Sequence, residues 1–280
     1  MKIRLKSNAE GANEGFDIAV SSYLVLSAPT ECNVAGSSVF WSTAHAHGSL
    51  GGEMNLFYHI NAMHDYFMGG VNRSSSSFIN SPVNVVANVG PHHVGAFYLP
   101  SEDTIYFGDI NGNAPSDALS EDATVPRHEY VHFLTERIFP IQNVGQAGAI
   151  SEANADYFAA SSLNHSAIGQ FFTRSIDPFA PPLRELDCPT KTSCRALSAS
   201  TWSGEIHDDS IYLGQALWNM RKKIISDLIP GSLSQARACA DGLVFETLLF
   251  FPESFTEYFE AISRVDAEGR VAACQGPNSA

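Results

Sequence analysis

Residues 125–139, VPRHEYVHFLTERIF, and residues 148–159, GAISEANADYFA, decide how the rest of this 280-residue chain is read. His128 and His132 are four positions apart, so on a helix both imidazoles lie on one face and can reach one ion. Glu129, beside His128, then points toward a water held at that ion. Pro126 suits the first helical position, and its restriction on Val125 marks the boundary. A hydrolytic zinc site takes three protein ligands and keeps one position open, so a third ligand is required. The second stretch supplies Glu152, twenty positions after His132. Asp156 follows one turn later on the same face, placed to accept a hydrogen bond from a ligand imidazole and fix its tautomer.

On the amino-terminal side the texture is strand and loop around one helix. Asp17–Ser27 and Val83–Val89 are rich in β-branched residues, as are the runs GAFYL and TIYFG that end at Gly108. Between them Leu56, Ile60, Met63 and Phe67 recur at helical spacing over Glu53–Met68, and Gly69 with Gly70 stops the helix. From Pro126 onward helices are expected at Pro126–Phe139, Gly148–Leu163, Asp208–Leu228, Ser232–Phe251 and Glu253–Asp266. Thr173–Ser203 reads as a long irregular insertion. The expected fold is therefore α+β: a β-rich lobe over residues 1–125, a mainly helical lobe over residues 126–280, and a zinc cleft between them.

The pattern HEYVH, nineteen residues, Glu152, then Asp156 four later closely resembles the thermolysin-like and fungalysin-like zinc endopeptidases, the gluzincins. The metzincin pattern, by contrast, needs Gly at 135 and His at 138, where this chain has Thr135 and Ile138. The gluzincin resemblance runs from Gly52 to about Lys223. It implies a thermolysin-like fold and one zinc per chain held by His128, His132 and Glu152, with Glu129 as general base. EMNLFYHINAMHDYF resembles the family's long amino-terminal helix, and GAFYLPSEDTIYFGD its substrate-binding edge strand, which implies substrate contact at Gly95 and Ala96. GEIHDDSIYLGQALW and PLRELDCP resemble the segments carrying a transition-state histidine and a substrate-binding arginine, which implies those roles for His207 and Arg184.

The chain also departs from that pattern. Asn143 stands where the thermolysin branch has a tyrosine donor to the oxyanion. Trp202 replaces the carboxylate five residues before the histidine, leaving Asp208, Asp209, Glu205 or a distant group to orient His207. Gly95 replaces an asparagine at the start of the edge strand. Leu163 stands where a calcium-binding carboxylate is expected, so calcium is not supported by matched ligands.

Composition bounds the partners. With 16 Lys+Arg against 30 Asp+Glu the net charge is −14, which excludes a basic nucleic-acid binder, and 44% hydrophobic residues exclude a disordered acidic tail. The uncharged stretch Phe78–Ser101 is broken by Asn80, Pro82, Asn88, Gly90 and Pro91, so no membrane span is expected. The five cysteines read as two disulfides, Cys188–Cys194 and Cys239–Cys274, with Cys32 free or paired to a missing segment; five buried thiols are the alternative. That pairing favours a secreted or periplasmic protein whose signal peptide is absent from this chain or has been removed; MKIRLKSNAEGANEG has no apolar run. The partner expected is a polypeptide substrate; the sequence does not specify an oligomeric state. His59 and His64 read as core or rim histidines, and His45, His47, His92 and His93 lack acidic partners at useful spacing. Two other readings remain open at this stage: an inactive gluzincin-fold binding module, motivated by Asn143 and Trp202, and an aminopeptidase.

Overall fold

A computed structural model describes residues 2–7, 16–19, 34–35, 38–39, 49–71, 82–87, 95–108, 118–140, 142–190, 194–229 and 231–275. In chain order the elements are β1 (Lys2–Ser7), β2 (Phe16–Ala19), β3 (Val34–Ala35), β4 (Ser38–Val39), α1 (Ser49–Tyr66), β5 (Asn84–Ala87), β6 (Ala96–Leu99) and β7 (Thr104–Phe107). There follow α2 (Ala118–Glu121), α3 (Val125–Ile138), α4 (Gly145–Leu163), β8 (Ala167–Ile168), α5 (Gln170–Ile176), β9 (Arg184–Glu185), α6 (Ile206–Lys223), α7 (Leu233–Leu248) and α8 (Phe255–Ala267). The mixed α and β composition, mostly helical with small sheets, matches the expected class. Cys32, His45, His47, His92, His93 and the expected strand residues 20–27 and 88–89 lie outside the described residues.

The chain divides into two compact units, and the division passes within α1 after Ala62 and within α3 after Phe133, although each helix is continuous there. The first unit comprises residues 1–62, 80–133 and 169–182. Its five-stranded sheet has the order β2-β1-β5-β7-β6. β1, β5 and β7 run parallel at the centre, and β2 and β6 close the two edges antiparallel to their neighbours. Val85, Val86 and Ala87 of β5 are all buried, the continuous apolar run that a central parallel strand requires. β6 and β7 form a hairpin whose turn passes through Asp103 in the left-handed conformation (φ 51°), fixed by the Tyr98 hydroxyl donating to Asp103 at 2.9 Å. At the hairpin's open end Gly95 takes φ +130°, where a side chain is strained, and its carbonyl accepts from Gly108 N at 2.9 Å.

The approach to α3 in this unit is fixed by hydrogen bonds. Asp122 accepts from Thr124 N at 2.8 Å and from Thr124 Oγ1 at 2.6 Å, and its second oxygen accepts from Phe172 N at 3.0 Å. Thr124 Oγ1 in turn accepts from Gly169 N at 2.8 Å, tying the start of α3 to the start of α5. Tyr130, Val131 and Phe133 of α3 are fully buried, so the helix is held on nearly every face rather than along one stripe.

The second unit comprises residues 63–79, 134–168 and 183–280. Its central helix, α4, is buried continuously from Ala147 to Ser161. The run of alanines and glycines in GQAGAISEANADYFAASSL permits this, because small side chains let neighbouring backbones approach. A Cβ added at Gly148 would stand 2.7 Å from Ile206 Cγ2, so glycine there is what allows α6 to begin against α4. Further along, Ala159, Ala160, Ile168, Leu186, Ile211, Tyr212 and Trp218 form one apolar cluster, with Trp202 packed against it.

A polar knot sits in the same unit. Asp241 of α7 accepts from Tyr157 Oη at 2.8 Å and Ser161 Oγ at 2.6 Å, and the buried Arg221 lies 3.8 Å from it while donating to Ser161 Oγ at 2.8 Å. Burial pushes the Asp241 carboxyl above its usual range even though the Ser161, Tyr66 and Tyr157 hydroxyls and the Arg221 charge oppose the shift. Both expected disulfides are present, Cys188–Cys194 and Cys239–Cys274.

Several boundaries differ from expectation, among them α1, which starts at Ser49, and α4, which starts at Gly145; two differences have a visible physical reason. The Thr173–Ser203 insertion is not wholly irregular: it contains the end of α5 and β9, which pairs antiparallel with β8. α6 starts at Ile206 rather than Asp208, because Glu205 and not either aspartate supplies the cap, its side chain accepting from Asp208 N at 2.8 Å.

Candidate metal centre

α3 presents His128 and His132 from successive turns, and their Nε2 atoms approach to 3.0 Å with the rings at 81° to each other. Glu152 comes from the middle of α4. One ligand atom from each of the three residues falls within 4.8 Å of the others, with His128 and Glu152 buried and His132 partly so. Two nitrogens about 2.0–2.1 Å from a tetrahedral zinc ion stand roughly 3.3 Å apart. Two imidazoles and a carboxylate converging at this separation therefore suit zinc. Glu129 is buried on α3 beside His128.

Asp156, one turn after Glu152, is fully buried and forms a two-pronged ion pair with Arg184 of β9. Arg184 Nη2 donates to Asp156 Oδ1 at 2.7 Å, and Nε donates to the other oxygen. Side-chain exposures of 1% for Asp156 and 14% for Arg184 place this pair well out of solvent. The sequence proposed separate roles for these two residues and carried no signal that they meet.

His207 lies in the first turn of α6, with Nε2 3.4 Å from Glu152 Oε2 and Nδ1 2.7 Å from Glu205 Oε1. Burial raises the Glu205 carboxyl, but the His207 hydrogen bond and the backbone N–H groups of Asp208 and His207 outweigh it and hold the group below its usual range. Gly95 and Ala96 lie at the start of the edge strand β6. Asn143 is exposed, just ahead of α4. Tyr157 does not replace the missing tyrosine donor, because its hydroxyl is buried on Asp241. Trp202 packs into the apolar cluster and meets Phe255 edge-on at 6.0 Å, so position 202 contributes packing rather than charge.

Sequence reasoning missed one buried neighbour of this centre. Arg127, immediately before His128, donates through Nε to His59 Nδ1 at 2.9 Å. Burial, with the Arg127 charge adding, holds the His59 imidazole down to about 4, which leaves it neutral and able to accept. Nothing in the sequence linked position 127 to position 59, 68 residues away. His64 instead pairs with its neighbour Asp65 at 3.1 Å.

No family model matches the sequence, and no curated protein matches it. Among solved structures, the chain resembles a precursor of protealysin, a metalloproteinase from Serratia proteamaculans. The TM-score is 0.63 at 15% identity, over 98% of this chain and 84% of that one. At that identity the likeness is one of fold. The expected α+β fold thus has a counterpart among solved structures.

Proposed function

We propose that this chain is a zinc-dependent endopeptidase. The observation that carries the proposal is the convergence of His128, His132 and Glu152 within 4.8 Å, in a fold shared with a metalloproteinase precursor. Zinc held by these side chains would polarise a scissile carbonyl and lower the pKa of a bound water to about 7. Glu129 takes the proton from the attacking water and returns it to the leaving amine. His207, through Nε2, donates to the oxygen on which negative charge develops. Arg184 fixes a substrate carbonyl, its guanidinium held by Asp156. The peptide adds as a strand along β6 from Gly95 and Ala96, using backbone hydrogen bonds indifferent to side-chain identity, which favours internal cleavage of broad range. Two disulfides are compatible with an extracellular or periplasmic setting, and no described helix is long and apolar enough to cross a membrane.

The test is metal analysis joined to digestion of a denatured protein. Wild type is expected to carry one zinc per chain, and Glu129→Gln to keep the zinc and the fold while hydrolysis falls by roughly 10² to 10⁴. Stoichiometric zinc in a wild type that digests casein no faster than Glu129→Gln, across roughly pH 5 to 9, would transfer the site to a binding module.

A further inference from the structure

We infer that Glu205 is the carboxylate that orients His207, taking over the task from position 202. This rests on the peptidase reading for the role of His207. Glu205 is a positioning residue, acting through the imidazole rather than on substrate. Its two oxygens do different work: Oε2 accepts from Asp208 N at 2.8 Å and caps α6, while Oε1 meets His207 Nδ1 at 2.7 Å. With Nδ1 tied in this way, the ring turns Nε2 toward Glu152, 3.4 Å away.

Of the two aspartates that follow His207, Asp209 is committed elsewhere. Asp209 is fully buried and accepts from Ser203 N at 2.9 Å and Gly204 N at 2.7 Å, one bond to each oxygen. Those bonds shape the turn that delivers Glu205. Gly204 adopts φ +83°, and Ser203 Oγ accepts from Glu205 N at 3.0 Å. Asp209 therefore builds the loop and Glu205 aims the ring. Moving the orienting carboxylate from five residues before the histidine to two residues before it frees position 202 for a tryptophan that fills the apolar cluster.

Capping and orienting separate by length of side chain. Aspartate is a good N-cap, so Glu205→Asp keeps the helix cap but draws the carboxylate back by one methylene from His207. Peptidase kinetics on the zinc-loaded protein are compared for wild type, Glu205→Ala, Glu205→Asp and Glu205→Gln, each also in a His207→Ala background. The ring nitrogens of His207 are followed in parallel by ¹⁵N NMR. Glu205→Ala should lower kcat by about 10- to 100-fold, the usual worth of a partner that orients a functional histidine. Zinc content should not change and KM should stay within about twofold. Glu205→Asp should restore the thermal midpoint but not kcat, and Glu205→Gln should recover part of kcat. The loss should vanish in the His207→Ala background. The His207 Nδ1 resonance should move in the Ala and Asp variants. Full kcat in Glu205→Asp, an undiminished loss without His207, or an Nδ1 resonance indifferent to Glu205→Ala overturns the inference in an active enzyme. A zinc-loaded wild type without hydrolysis overturns the peptidase reading instead, and the catalytic role of the pair with it.

Discussion

Helices α3 and α4 offer His128, His132 and Glu152 from within regular, buried structure, whereas His207 and Arg184 reach Glu152 and Asp156 from a helix start and from a two-residue strand. In the first region the helical repeat puts His128 and His132 on one face of α3, so for that pair spacing in sequence becomes spacing in space. In the second, position depends on partners fixed by the fold. Arg184 is placed by Asp156, 28 residues earlier, and His207 by a cap and by the loop that Asp209 ties. Exposure separates two of the histidines, His128 at 5% and the His207 side chain at 52%, while Arg184 is only 14% exposed.

The comparison breaks most sharply at the ligands. His132→Ala should abolish zinc retention, measured by metal analysis after dialysis, because nearly all the binding energy depends on complete ligation. The fold should survive, since the buried surroundings of α3 include Tyr130, Val131 and Phe133, none of which needs the ion. Full zinc in that variant would place the metal elsewhere. Next in size is Asp156→Ala. It strips the two-pronged partner from Arg184, a largely buried cation, and breaking such a pair costs roughly 3–5 kcal/mol. The Lys222–Asp187 pair nearby, with both side chains about 40% exposed, serves as the control, because exposed pairs contribute only about 0–1 kcal/mol. Urea unfolding of Asp156→Ala and of Asp187→Ala reads the difference. Equal losses would show that burial does not set the value of the Arg184 pair.

What the sequence made legible follows the same line. The HEYVH spacing and the helices could be read because each depends on neighbours within a few turns, whereas Glu152, twenty positions after His132 on the next helix, was read from its resemblance to a known pattern. The burial of α4 on all sides was less visible, because alanine is as common on exposed helices as on close-packed ones. Its meaning emerges only where Gly148 meets Ile206. The Asp156–Arg184 and Arg127–His59 pairs were invisible because nothing in a single sequence links positions 28 and 68 residues apart. Among three candidate carboxylates for His207, sequence could not choose. The choice depends on a glycine at φ +83° and on two backbone bonds to Asp209.

The two disulfides were legible by a different route, as a pairing of cysteines by spacing, and they give the smallest effect that still sharpens the comparison. Cys188–Cys194 closes a loop of sequence separation 6 and Cys239–Cys274 one of separation 35. If a crosslink acts mainly by restricting the unfolded chain, the longer loop contributes about 4 kcal/mol and the shorter about 2 kcal/mol. The shorter one nevertheless lies nearer the candidate site in the chain. It follows β9, which carries Arg184, and Arg195 just after it donates through its backbone N–H to Gln215 of α6 at 2.8 Å. Removing it through Cys188→Ala with Cys194→Ala should therefore lower stability by only about 2 kcal/mol while disturbing substrate binding through Arg184, seen as a rise in KM with zinc content unchanged. Removing Cys239–Cys274 should cost more stability and leave KM alone, since that bond staples α7 to the carboxy-terminal turn. Measuring unfolding and KM for both double variants sets the two kinds of region against each other within one fold. A KM that follows stability in both would mean that the Arg184 loop depends on the unit as a whole and not on its own staple.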